Sequence, residues 1–191
     1  MNLFLLLSGS AVILVAALGL WWFRMMSRVH QHCIKVAGTA FMSYSMDHGG
    51  RLPYDTNGFG NAMLLLVKEG QLPGVAWICG PGDDGHALSN ALVRGVHVPE
   101  AECSRIYVQG LSEKNDPNIC ILFDRRSVPG GDHFYGRGKP LREALLLDGS
   151  MQTVPDAQWP EFCRRQVELL VAAGFPRQKA LKYYPEASVS K

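Results

Sequence analysis

The sequence predicts an α+β fold, in which a long N-terminal helix packs on a small antiparallel sheet and further helices follow. Three observations predict it. Met1 to Phe23 carries no charged side chain and flows into a proline-free stretch that continues to "MDHGG". "NICILFD" and "EALLLDGSMQTV" have the short apolar character of strands. "DAQWPEFCRRQVELLVAAG" has the period of an amphipathic helix.

The 191 residues suit one domain with an appendage. We divide them into a transmembrane anchor and helical stalk (1–48), an α+β head (49–155) and a C-terminal helical segment (156–191). The run "LFLLLSGSAVILVAALGLWWF" is long enough to cross a bilayer core of roughly 30 Å as a helix. Trp21 and Trp22 stand where an aromatic belt belongs, and Arg24 and Arg28 follow in the interfacial region. A cleaved signal peptide fits less well, because the start lacks a basic side chain and Trp-Trp-Phe-Arg is a poor exit. The helix is expected to continue past the anchor, with Met26, Val29, Cys33, Val36, Ala40 and Phe41 forming one apolar stripe. It stops at Asp-His-Gly-Gly, where Gly49 and Gly50 accept a left-handed backbone and Pro53 forbids resumption.

Beyond the stop, "NAMLLLVKEG" is expected as a short amphipathic helix closed by Gly70, and "ALSNALVRG" as a helical turn or two. "SRIYVQGL" alternates as a strand, with Ile106 and Val108 on one face and Tyr107 on the other. "NICILFD" is apolar enough for a central strand. "PGGDHFYGRGKP" is a loop. Asp148-Gly149 joins two strands in a hairpin. Asp156 is expected to cap a helix ending at Gly174, and "PRQKALKYY" supplies a last short helix.

A net charge of +2 with scattered basic residues gives no footprint for nucleic acid. None of the five cysteines forms a CxxC pair, so zinc-ribbon spacing is absent. Cys120, inside an apolar strand, is expected to be a buried thiol. A disulfide among Cys33, Cys79 and Cys103 is one arrangement open in an oxidising compartment.

An ordered set of motifs points to a family. It comprises Cys33 on the helix, then "YSMDHGGRLP" (with Tyr44, Asp47, Gly50 and Pro53), then "WICGPGDDG" around Cys79. "RIYVQGLSE", "ICILFD" and His133 follow, and "EALLLDGSMQTV" with Asp148 and Gly149 closes the set. Over about residues 28–160 this order resembles type IV pilins and type II secretion pseudopilins, above all the pilin-like proteins of planctomycetes and verrucomicrobia. The resemblance implies a structural, non-enzymatic role in assembly, with other pilin-like or secretion-system subunits as partners beside membrane lipid. It also implies a single-pass protein of the cytoplasmic membrane with its head on the outer, periplasmic side. The positive charges after the apolar run favour the opposite sidedness. The chain departs from the family in lacking a basic leader, the Gly-Phe-Thr-Leu-Ile-Glu type cleavage site and any Glu in the apolar run. Processing by a prepilin peptidase is therefore not expected.

No cofactor is expected, and no metal site is assigned. Cys79, Asp83, Asp84 and His86 in "CGPGDDGH" are the residue types that could ligate a cation, but Gly-Asp-Asp-Gly is also ordinary turn chemistry. His30, His32 and Cys33 do not share a helical face. His133 with Asp132, Asp148 and Ser150 lacks a nucleophile elbow. The alternative readings are a membrane-anchored metal-dependent hydrolase, which needs His133, Asp148 and the Cys79 loop to converge, and a scaffold on the cytoplasmic face. Glu161, Arg164, Arg165 and Glu168 are expected as a solvated helix face.

Overall fold

The computed structural model describes Val15 and residues 17–21, 34–74, 90–91, 94, 103–129 and 138–188. The first described helix of any length, α1, spans Ile34–Asp47. Its buried residues Ile34, Ala37, Ala40, Phe41, Tyr44 and Ser45 recur at three- and four-residue steps along one face. The helix ends where the sequence places its stop. His48 and Gly50 donate their N–H groups back to the Ser45 carbonyl, and Gly49 and Gly50 both take positive φ.

The expected transmembrane helix is corrected. Among the described residues no helix is long and apolar enough to cross a membrane. α1 has 14 residues, a length of about 21 Å at 1.5 Å per residue. It also carries Lys35, Thr39, Ser43 and Asp47 along its length. Val15 and residues 17–21 are helical and exposed. The rest of the apolar run, with Met26, Val29 and Cys33 of the expected stripe, lies outside the described residues. The single-pass placement in an inner membrane has no support from the described helices.

α2 (Phe59–Lys68) follows as the sequence predicts, and Gly70 closes it with a φ of 72°. The sheet is antiparallel throughout and is built from β1 (Arg105–Tyr107), β2 (Cys120–Asp124), β3 (Val128–Pro129), β4 (Pro140–Leu146) and β5 (Met151–Pro155). β4 pairs with β2 through its C-terminal half and with β5 along its other edge. Leu141 pairs with both Val128 and Pro155, so β3 continues the β2 side of β4. The sheet is thus four strands wide, in the order β1, β2 with β3, β4, β5. β2 is central and wholly buried, in agreement with its apolar sequence. The two-residue β3 was not expected.

The β4–β5 hairpin turns at Leu147–Gly149. Gly149 N–H donates to the Leu146 carbonyl, and Leu146 N–H donates to Ser150 O. Gly149 sits at φ 81°. This is a three-residue loop with a glycine bulge, one residue longer than the tight Asp-Gly turn that the sequence suggests.

After a single 3-10 turn (Asp156–Gln158) come α3 (Trp159–Ala172), α4 (Arg177–Tyr183) and a second 3-10 turn (Pro185–Ser188). Asp156 does not cap α3. Gln158 occupies the cap position without a side-chain bond, and the Asp156 carboxylate instead accepts from Arg142 Nε at 3.3 Å.

The sheet is covered on both faces. Cross-strand partners share a face, so Tyr107, Leu122 and Leu145 lie together. Phe41 of α1 stacks on Tyr107 with centroids 4.9 Å apart, and Phe59 of α2 tilts against the same ring. Phe123 points to the opposite face, against Trp159 at 5.5 Å and Tyr184 at 4.8 Å. One continuous core therefore runs from Ile34 to Tyr184.

Candidate functional site

The motif positions that fall in described residues gather at two joints, one at the C-terminal end of α1 and one against its middle. At the C-terminal end, the Tyr44 and His48 rings stack 3.8 Å apart. His48 Nδ1 lies 2.8 Å from the Tyr44 carbonyl and Nε2 lies 3.3 Å from Glu69 Oε1, just after α2. Asp47 Oδ2 accepts from Gln71 Nε2 at 3.1 Å. Together these tie α1 to the end of α2. Burial, and then the Glu69 carboxylate, raise the Tyr44 phenol above its ordinary value. The Gly50 carbonyl accepts from Glu113 N–H, and the Pro53 carbonyl accepts from the buried Tyr107 hydroxyl at 2.7 Å. These two bonds pin the chain after the helix stop to the β1 side of the sheet.

Asp148 and Gly149 sit at the other joint. Asp148 Oδ1 accepts from Ser150 N–H at 2.8 Å, as a turn carboxylate does. The turn lies against the middle of α1. A Cβ at Gly38 would stand 2.8 Å from Leu145 Cδ1, so any larger residue here presses on the Leu145 side chain. A hollow beside this contact is lined by Lys35, Thr39, Met42, Met46, Asp148 and Met151.

Cys33, Cys79, Asp83, Asp84, His86 and His133 lie outside the described residues, as do His30, His32 and Asp132. The convergence that the hydrolase reading needs has no described partner for Asp148. Among the described residues no three His, Cys, Asp or Glu side chains group as a metal site.

Two polar groups escaped the sequence analysis. The first is a charged row on the α1 face of the sheet, where Arg105, Asp124 and Glu143 stand on adjacent strands at 1%, 1% and 3% exposure. Arg105 Nε donates to Asp124 Oδ1 at 3.1 Å, and Glu143 N–H donates to Asp124 Oδ2 at 2.9 Å. Desolvation pushes the Asp124 carboxyl above the usual range, against the downward pull of the Arg105 guanidinium. The signal in the sequence is an Asp closing an otherwise apolar strand.

The second is Gln166 on α3. The β2–β4 register shifts between Cys120 and Leu122. The Cys120 N–H donates to Gln166 Oε1 at 2.8 Å, Gln166 Nε2 donates to the Asn118 carbonyl at 3.1 Å, and Tyr184 Oη donates to the Cys120 carbonyl at 3.0 Å. Here the signal is a polar residue within the apolar stripe of a helix.

The Cys120 thiol is buried, as expected, and burial pushes its pKa up strongly. Burial also pushes the Cys163 thiol up, to about 12. Neither is a nucleophile at neutral pH. Cys103 is buried too. On α3, Glu161 pairs with Arg164 and Glu168 with Arg177 on the solvent side, in accord with a solvated face.

Scans against family models, curated proteins and solved structures find no match for this chain.

Proposed function

We propose that the chain is a structural subunit of an assembly of the pilin-like kind, working by docking to other subunits rather than by turning over a substrate. The observation that carries this reading is the architectural use of the motif positions. Tyr44, Asp47, Gly50 and Pro53 serve to fasten α1, α2 and the sheet to one another, and Asp148 and Gly149 shape the β4–β5 turn that lies against α1. A motif set with catalytic work would direct side chains into a shared pocket. The described members of this set direct theirs into helix stops, turns and backbone bonds. The ordered resemblance to pilin-like proteins supports the same reading.

The test is native electrophoresis of gently crosslinked extracts from cells making the full chain at ordinary levels. The expected result is a discrete species several times larger than 21.1 kDa. Migration of the whole population as a single chain would overturn the reading.

A further inference from the structure

Among the described residues the last strand of the sheet has an edge without a partner. Among the described residues β5 pairs with β4 alone. The hairpin sets the phase of that pairing. Leu146 N–H bonds to Ser150 O, so Gln152 opposite Ala144 and Val154 opposite Arg142 direct their N–H and C=O groups into the ladder. Met151 and Thr153 direct theirs outward. Natural edge strands are guarded by charge, a bulge or proline. Met-Gln-Thr-Val-Pro has no charge, its register with β4 has no shift, and its proline comes only at the end.

We propose that β5 is the docking edge for a second copy of this chain, the two β5 strands pairing antiparallel about Thr153 so that both sheets continue as one. This rests on the assembly reading above and names the partner.

The strand suits its own reverse. A twofold axis at Thr153 lets the two Thr153 residues exchange both backbone bonds. The Met151 N–H of each copy donates to the Pro155 carbonyl of the other, where the missing proline N–H costs only the return bond. Thr153 stands opposite itself, a favourable cross-strand pair. Gln152 stands beside Val154 of the second copy. Glu161, Arg164 and Arg165 of α3 line the hollow that flanks Gln152 and Val154, so each copy brings charges of both signs beside the strand.

The test is sedimentation equilibrium of the purified full chain and its Thr153 variants. Thr153→Pro removes an N–H that faces away from β4 and leaves the β4 ladder intact. A dimer is expected for the unaltered chain, with association weakened on the order of a hundredfold for T153P. T153K and T153E should each be monomeric alone, and should dimerise when mixed, because opposite charges then meet across the axis. That mixing experiment decides the matter even if T153P fails to fold. An unaltered chain that associates equally well as T153K, T153E or T153P would overturn the β5 edge and leave the assembly reading standing. A chain monomeric in solution yet found in a large species in cells would do the same, with a different protein on the edge. A chain monomeric in both settings would overturn both.

Discussion

Arg105 Nε lies 3.1 Å from Asp124 Oδ1 across neighbouring strands, with the two side chains 1% and 2% exposed. Such a pair gains little over an apolar replacement, because desolvation offsets the attraction, but breaking it is costly. Asp124→Ala is expected to lose about 3–5 kcal/mol of stability in chemical denaturation. The Arg105→Ala, Asp124→Ala double variant should lose less than the two singles added, by on the order of 2 kcal/mol. Additive losses would show that the two charges do not stabilise each other.

The contact of Gly38 with Leu145 sets two effects against each other. A Cβ there gains about 1 kcal/mol of helix propensity. It also presses on a Leu145 side chain that is fully buried and so has little room to move, an overpacking worth about 1–3 kcal/mol. Gly38→Ala should therefore fall within about 2 kcal/mol below the unaltered chain, and Gly38→Val should cost more than Gly38→Ala. A stabilised Gly38→Val would mean that α1 does not lie against β4 at this point.

Gln166 serves two backbone groups just before the β2 register shift, the Cys120 N–H and the Asn118 carbonyl. Gln166→Leu keeps the packing volume and removes both bonds, for a loss of about 2–3 kcal/mol. Gln166→Glu keeps the acceptor for Cys120 N–H but, when ionised, buries a charge against the Asn118 carbonyl, so its loss should be larger near neutral pH and shrink at low pH, where the protonated acid can donate to Asn118. A Gln166→Glu loss, relative to the unaltered chain, that does not change with pH would show that this side chain is not held against Asn118.

Burial holds the Tyr107 and Tyr184 phenols protonated well above the ordinary 10.0. In the unfolded chain they ionise near 10.0. Folding therefore keeps protons that unfolding releases, so their contribution is full below pH 10 and is lost as pH rises beyond it. Loss of circular dichroism should coincide with the rise in tyrosinate absorbance. Tyr184→Phe should cost about 1 kcal/mol at neutral pH, through the lost bond to the Cys120 carbonyl, and should flatten the alkaline decline. Free titration of both phenols within an intact fold would sink this account.

Local chemistry made much of the fold legible. The α1 stop, the α2 helix and the β4–β5 hairpin each rest on residues adjacent in sequence, where glycine and aspartate act directly on the backbone. The central place of β2 was legible because an unbroken apolar run suits a strand covered on both sides. The misses arose over distance. Asp156 has the form of a cap, yet Arg142, 14 residues earlier, claims its carboxylate. β3 exists only because β4 begins early enough to pair with it. Arg105 meets Asp124 only through the β1–β2 register. The membrane-spanning expectation rested on a long uncharged apolar run, most of which lies outside the described residues, and among the described residues no helix is long and apolar enough to span. Of the motif set, the turn and stop positions could be read from sequence, whereas their common role as joints needed the packing.

The ring of Phe123 between Trp159 and Tyr184 has a consequence for synthesis. β2 leaves the ribosome well before either of those rings exists, and until they arrive one side of the sheet is bare hydrocarbon. A product that stops before Tyr184 cannot finish the job, since Tyr184 lies beyond α4 and still reaches back to the Cys120 carbonyl. A premature stop between β5 and Tyr184 would therefore release a chain with a sticky half-built sheet. Such a chain is a client for chaperones and proteases, not a smaller working subunit.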